Sequence, residues 1–254
     1  MKVIEYGTAN SEIIMLLHGG GLSWWNYQKE AELLSTHYHV VLPILDGHAD
    51  STDDFCSIEQ NAEKIISYID THFNGSVKLL GGLSLGAQTA LDLLSRRPNI
   101  CEYAVIESAA VIPDRLIACL VGPIFSACYG LIQKKWFARL QFNYLRIRQE
   151  LFDRYYEDSC KISKNNLLSF VKANALYEAK PSPCDLGAKL LLLVGSKEAK
   201  RIKKSAQLLK ATIPNSTLQI KEGLYHGQFS LNCAEQYVKL LMQFLCHRTE
   251  DEDN

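Results

Sequence analysis

The sequence predicts an α/β fold: a mostly parallel central sheet of about seven strands flanked by helices, with a helical cap insertion. Three observations carry this. Through the first half of the chain, short β-branched or leucine-rich runs alternate with longer segments of helical periodicity, as repeated strand-helix units around a parallel sheet require. From about Pro113 to Pro183 the alternation stops and a long helical, aromatic-rich stretch intervenes. Strands then resume at Lys189 and at Thr217.

In chain order, strands are expected over Lys2 to Tyr6 and Ser11 to Leu17, joined through the Gly7 to Asn10 turn. His39 to Leu42, Val77 to Gly81 and Tyr103 to Glu107 follow as parallel-type strands, with Lys189 to Val194 and Thr217 to Lys221 closing the series. Between them, helical patterns run over about Trp25 to Ser35, Ile58 to Phe73, Leu85 to Arg96, Ile202 to Thr212 and Ala234 to Leu245. Each is about as long as a crossover helix must be to join parallel neighbours. The chain therefore divides into a first core part (1–112), the helical cap (113–183, bounded by Pro113, Pro181 and Pro183), a second core part (184–248) and an acidic tail (249–254).

Composition narrows the function classes. Apolar residues make 47% and charged residues 22% of 254 residues, as in an ordinary globular protein. Lysine plus arginine number 27 against 28 acidic residues, so no excess positive field gathers phosphate backbones, and nucleic acid is not an expected partner. The eight cysteines, Cys56, Cys101, Cys119, Cys128, Cys160, Cys184, Cys233 and Cys246, form no C-x-x-C, and the N-terminus has no charged-then-apolar signal region. They read as reduced, mostly buried thiols of a cytoplasmic protein. Leu116 to Ile132 is uncharged but short for a bilayer crossing and broken by Gly122, Pro123 and Gly130, so stable membrane insertion is not expected. Apolar cap helices lining a pocket are expected there, with peripheral membrane contact as the other reading. A homodimer is left open.

The chemistry-bearing signals are local. Gly82-Leu83-Ser84-Leu85-Gly86 lies just after an apolar strand and just before a helical run. A serine in such a tight strand-to-helix turn is held in a strained backbone conformation, and its flanking glycines avoid clashes with neighbouring backbone. The following helix directs free N–H groups at the same spot, so Leu85 N–H is expected to stabilise a developing oxyanion. His18-Gly19-Gly20-Gly21 follows the strand ending at Leu17. Its glycines let backbone N–H groups approach a ligand, with Gly20 as second oxyanion donor and Gly21 as fallback. A phosphate-binding loop would need the G-x-x-x-x-G-K-[ST] lysine, which is missing.

The base must reach Ser84 and be held by a carboxylate. His226, in the loop Gly223 to Gly227 after the last strand, fits better than His18 or His48; His18 is expected to tie the glycine loop down. Glu198, just after the strand ending at Val194, is the expected acid, with Glu107 as runner-up. The order Ser84, Glu198, His226 is the order such a strand-turn-helix nucleophile requires.

Together these signals resemble the α/β-hydrolase superfamily over most of the chain outside the insertion. His18 to Gly21 looks like its oxyanion loop, Asp46 to Ser51 like a structural turn after its next strand, and Gly82 to Gly86 like its nucleophile elbow. The resemblance implies a serine nucleophile, an acyl-enzyme hydrolysed by water, and no cofactor. Two features depart from the pattern: glutamate stands where aspartate is more usual, and seven strands are expected rather than eight.

The expected activity is hydrolysis of a small hydrophobic ester or related acyl substrate. A carbon–carbon bond hydrolase or lyase would use the same three residues, and a non-catalytic small-molecule-binding module is the reading from another class. Phe125, Tyr129, Trp136, Phe137, Phe142 and Tyr144 offer an apolar lining, or simply pack the cap onto the core. Trp24 and Trp25 wall the pocket or anchor a helix; Trp25 is taken as a substrate-binding candidate. No H-E-x-x-H or paired His/Cys spacing points to a metal.

Overall fold

Strand-forming runs that are apolar and buried over most of their length belong in the middle of a parallel sheet, and those with mostly half-exposed residues belong at its edge. The computed structural model, which describes residues 1–180 and 186–246, follows that rule. The strands are β1 (Val3–Tyr6), β2 (Ile13–Leu17), β3 (His39–Pro43), β4 (Val77–Leu83), β5 (Cys101–Glu107), β6 (Lys189–Gly195) and β7 (Ser216–Lys221). They form one seven-stranded sheet in the order β1-β3-β2-β4-β5-β6-β7. Every pairing is parallel except β1 with β3, where Val3 faces Pro43 and Tyr6 faces Val40. The Gly7 turn, with φ +63°, joins β1 to β2 without pairing them: the buried β2 takes a central place and the half-exposed β1 an edge.

Helices cover both faces. α1 (Gln28–Leu34) and α10 (Ala234–Cys246) pack on one face; α2 (Ile58–His72) and α3 (Leu85–Arg96) pack on the other. Period-two alternation divides the core accordingly. Ile14 and Leu16 join Leu79, Val105 and Tyr237, and Met15 and Leu17 join Leu80, Ala104 and Ile65. α8 (Lys200–Thr212) and α9 (Gln228–Asn232) complete the core.

Between β5 and β6 the chain makes four helices: α4 (Arg115–Ile132), α5 (Lys135–Leu145), α6 (Phe152–Lys161) and α7 (Lys164–Leu176). α4 starts at Asp114, whose carboxylate accepts from Ile117 N at 2.9 Å, and α7 at Ser163, whose hydroxyl accepts from Asn166 N at 3.2 Å. Polar contacts tie these helices to the core. Asn166 Oδ1 accepts from Phe55 N at 2.9 Å, and Gln88 Nε2 donates to Ala110 O at 2.7 Å and Asn174 O at 3.1 Å. The expected boundary at 183/184 with its Pro181, Pro183 and Cys184, and the tail 249–254, lie outside the described residues.

The cysteine expectation needs correction. Among the described residues only Cys101 is buried, Cys56, Cys119 and Cys246 are exposed, and none is in a disulfide. Cys119 is exposed because the apolar run that holds it turns much of its surface outward.

What the topology does for function lies at the carboxyl edge. From β2 the chain steps to β3 on one side, then returns to β4 on the other, so the connections after β2 and β4 part and leave a crevice between them. Leu17 is level with Gly82, Leu83 with Glu107, and Gly195 with Lys221. The segments holding the glycine loop, Ser84, Glu198 and His226 all leave the sheet at this edge.

Candidate active site

Ser84 has φ +53° and ψ −108°, a conformation a residue with a side chain adopts only when its surroundings force it. The backbone is pinned on both sides: Ser84 N donates to Glu107 O, and Ser84 O accepts from Gln88 N, each at 2.9 Å. The turn is tight enough to require both glycines. A Cβ on Gly82 would lie 2.4 Å from the Gly86 carbonyl carbon, and one on Gly86 would lie 2.2 Å from Leu17 O. The Ser84 hydroxyl makes no capping bond to α3.

The glycine loop is fixed from below. His18 Nε2 accepts from Leu45 N at 3.1 Å, so its Nδ1 carries the proton and donates to Gly19 O at 2.9 Å. Burial pushes the His18 pKa down to about 3 and that of His48 down to about 4, so both rings are neutral near pH 7. His18 thus anchors the loop, and His48 lies against Phe170 with ring centroids 4.4 Å apart. Gly19 N donates to Asn26 Oδ1 at 3.2 Å. Gly20 sits against Leu85, where an added Cβ would meet the Leu85 Cβ at 3.6 Å. Gly21 has φ +73°, and an added Cβ there would meet nothing within 4 Å.

His226 Nδ1 is 2.8 Å from Glu198 Oε2. The other carboxylate oxygen, Oε1, accepts from Gly195 N at 2.7 Å and from Ser108 Oγ at 2.8 Å. Ser108 in turn accepts from Gly227 N at 3.3 Å, beside the histidine. The Glu198 side chain is fully buried and that of His226 is half-exposed, so the imidazole spans from a closed carboxylate to the open crevice. Sequence reasoning missed Ser108. Its signal was its place just past the end of the strand that follows the elbow helix, where it takes φ +56°.

Glu107, the runner-up acid, is buried and turned elsewhere. Its Oε1 accepts from Ser230 N at 3.2 Å and its Oε2 has no partner; desolvation raises its pKa to about 7.

Ser84 and His226 line one small cavity of about 70 Å³ together with Gly19, Gly20, Leu83 and Gly227. Gly20, Leu22 and Leu145 also border a much larger cavity of about 690 Å³, roofed by the insertion. Phe125, Tyr129, Phe137 and Tyr144 line the larger one as expected. Phe142 is instead fully buried and Trp136 faces solvent. Trp25 is likewise placed away from both cavities. It is buried, and its Nε1 donates to Asp158 Oδ2 at 2.7 Å, so it anchors α6 to the core rather than walling a pocket. The 3₁₀ turn over Trp24–Tyr27 rotates this ring inward. Among the described residues no three His, Cys, Asp or Glu side chains gather as a metal site would need.

Residues 14–231 match the Alpha/beta hydrolase family, a span that takes in the elbow, the glycine loop, Glu198 and His226. The chain belongs to this family. Solved structures agree on the α/β-hydrolase fold. An esterase from Thermogutta terrifontis superposes with a TM-score of 0.78 at 16% identity, covering 96% of this chain and 92% of that one. An enol-lactonase from Burkholderia xenovorans gives a TM-score of 0.78 at 16% identity, with 96% and 95% covered. A hydrolase from Pseudomonas aeruginosa gives 0.79 at 15% identity, with 96% and 93% covered. No curated protein matches the chain. At such identities these α/β-hydrolases share an architecture with this one, and the substrate of each is a property of its own pocket.

Proposed function

We propose that this α/β-hydrolase is a serine esterase for hydrophobic acyl substrates, acting through Ser84, His226 and Glu198. One observation carries the reading: the buried Glu198 carboxylate holds His226 Nδ1 at 2.8 Å, which leaves Nε2 for the cavity that the imidazole shares with Ser84. Glu198 fixes the tautomer and stabilises the imidazolium as His226 takes the Ser84 proton. Ser84 Oγ attacks the acyl carbon, and the Gly20 and Leu85 N–H groups, at the glycine loop and the α3 N-terminus, receive the oxyanion. His226 then protonates the leaving alcohol. A water activated by the same histidine releases the acid. No cofactor takes part.

The acyl group is assigned to the cavity of about 690 Å³, whose wall is apolar from Phe125 on α4 to Phe170 on α7. Hydrophobic esters gain from leaving water there, and charged acids do not.

The test is labelling with a fluorophosphonate probe followed by mass spectrometry, together with turnover of p-nitrophenyl esters of increasing chain length. An adduct on Ser84, and a kcat that falls roughly 10⁴- to 10⁶-fold in Ser84→Ala, are expected. A folded protein that neither labels nor turns over any ester would overturn the proposal in favour of a small-molecule-binding module.

A further inference from the structure

Helix α4 has two faces with different tasks. Val121, Phe125, Tyr129 and Ile132 turn inward, three of them lining the large cavity, and the Tyr129 hydroxyl donates to Ile162 O at 2.8 Å. Leu116, Ile117, Leu120 and Ile124 fall within roughly 100° on the opposite side by helical geometry, and all are exposed, Leu116 at 71%. The helix is long and apolar enough to cross a membrane by length and composition, with a mean hydropathy of 1.8, yet only 17% of it is buried. α5 continues the pattern with exposed Trp136, Leu140 and Tyr144. A water-exposed apolar surface of this extent marks a contact site rather than ordinary scatter.

Charge identifies the occupant. Arg115, Lys134, Lys135, Arg139 and Arg146 lie in and beside these two helices, and no acidic residue occurs between Arg115 and Gln149, in a chain of formal net charge −1. Asp114 caps the start of α4, Glu150 pairs at the far end with the inward-turned Arg148, and Asp153 on α6 pairs with Lys135 at the start of α5, which leaves Lys134 and Arg115 outside any ion pair among the described residues. Two copies meeting through this face would bring like charges together. An anionic lipid surface complements them, with leucines and isoleucines entering the interface, Trp136 and Tyr144 suited to headgroup depth, and basic side chains reaching phosphates. Crossing the bilayer would strip α4 from the cavity it lines, so the helix is placed to lie on the surface.

We infer that the outer faces of α4 and α5 dock this protein on an anionic lipid bilayer. Leu140, Tyr144 and Leu145 are exposed and also line the large cavity, so its apolar rim belongs to the same surface. Docking is a binding property and stands independently of the proposed esterase chemistry.

The experiment is flotation of the full chain with phosphatidylcholine vesicles, with and without phosphatidylglycerol, at low and high salt. Binding to the phosphatidylglycerol vesicles that weakens with salt is expected. Lys134→Glu with Arg115→Glu should weaken it by roughly 30-fold or more, from the contribution of two basic side chains near a charged surface. Leu120→Glu with Ile124→Glu should weaken it comparably. Neither pair lines a cavity, so circular dichroism melting and short-chain ester turnover without lipid should match the parent. Parent-like vesicle binding by both variants would overturn the inference, as would absence of binding by the parent. A parent dimer in light scattering that Leu120→Glu splits, without vesicle binding, would assign the face to a second copy instead.

Discussion

Ser108 Oγ donates a 2.8 Å hydrogen bond to Glu198 Oε1, the oxygen that His226 does not use. The hydroxyl also accepts from Gly227 N, so one side chain from the end of β5 fixes both the carboxylate and the backbone next to the imidazole. Gly195 N holds the same oxygen from β6. The histidine's orientation is therefore set by two strands and two loops rather than by Glu198 alone. Ser108→Ala leaves the Gly195 bond in place. It should lower kcat for p-nitrophenyl esters about tenfold, equivalent to about 1.4 kcal/mol of transition-state stabilisation, with KM nearly unchanged. Ser108→Thr keeps the hydroxyl and should restore part of the rate. An equal loss in kcat and in thermal stability with no rescue by threonine would assign Ser108 a purely structural role.

Two buried glutamates stand near His226, and substitution separates them. On the proposed mechanism, Glu198→Gln removes the charge that would stabilise the imidazolium and favours the wrong tautomer, so kcat should fall by about 10²- to 10⁴-fold. Glu107→Gln replaces a group that makes no bond to the imidazole and whose pKa burial already raises to about 7. Its kcat should stay within about threefold of the parent near pH 7, far below the loss expected for a residue acting in the triad. The reverse ranking in steady-state kinetics would move the acid role to Glu107.

The sequence made the sheet and the elbow legible because both rest on local rules. The mostly apolar β3 and β4 read as parallel strands within the sheet, and Gly82 and Gly86 read as forced glycines, with an added Cβ in each lying inside 2.5 Å of backbone. The order of Ser84, Glu198 and His226 along the chain and the crossover rule sufficed to put them at one sheet edge. Trp25 was illegible. Whether an aromatic after a glycine loop faces a pocket or the core depends on the rotation of a single 3₁₀ turn and on Asp158, 133 residues away. The outward turn of α4 was half legible: its uncharged run signalled apolar surface, and only tertiary packing decides which face is spent on the cavity and which is left outside. For Ser108 the place just past β5 was legible, and the bonds to Glu198 and Gly227, 90 and 119 residues away, were not, because no spacing rule encodes them.

Glu30 is buried with neither carboxylate oxygen in a hydrogen bond, beside Tyr27 and Tyr237, whose hydroxyls are also unpartnered. Desolvation raises its pKa to about 8, so the folded state holds a proton that the unfolded state releases near pH 4.5. Between those values the native state binds more protons, and stability falls as pH rises; above about 8 both states are ionised and the decline stops. Glu107 adds a fall of the same sign that ends near pH 7. His18 and His48, neutral when buried with pKa values of about 3 and 4 against 6.5 when unfolded, act in the opposite sense up to about pH 6.5. Thermal melts of the parent should therefore stay nearly level from pH 5 to about 6.5 and move down from there to pH 8. Glu30→Gln should flatten that trend and melt above the parent at pH 8. A parent melt that rises between about pH 6.5 and 8 would contradict the burial argument for both residues.

Glycines divide into those that the fold needs and those it tolerates, and stability measurements should separate them. Gly82→Ala drives a methyl to 2.4 Å from the Gly86 carbonyl, where only backbone can yield. Overpacking of this kind costs about 1–3 kcal/mol, and it moves the elbow that carries Ser84, so both denaturation midpoint and turnover should fall. Gly130 lies within α4, away from Pro123, with nothing within 4 Å of an added Cβ. Gly130→Ala should raise stability by about 0.5–1 kcal/mol, through helix propensity and reduced freedom of the unfolded chain, with turnover unchanged. Urea melts of the two variants beside the parent read both effects. If Gly130→Ala destabilises instead, α4 does not hold its helical geometry through its last turns, and the two-faced arrangement of its side chains fails with it.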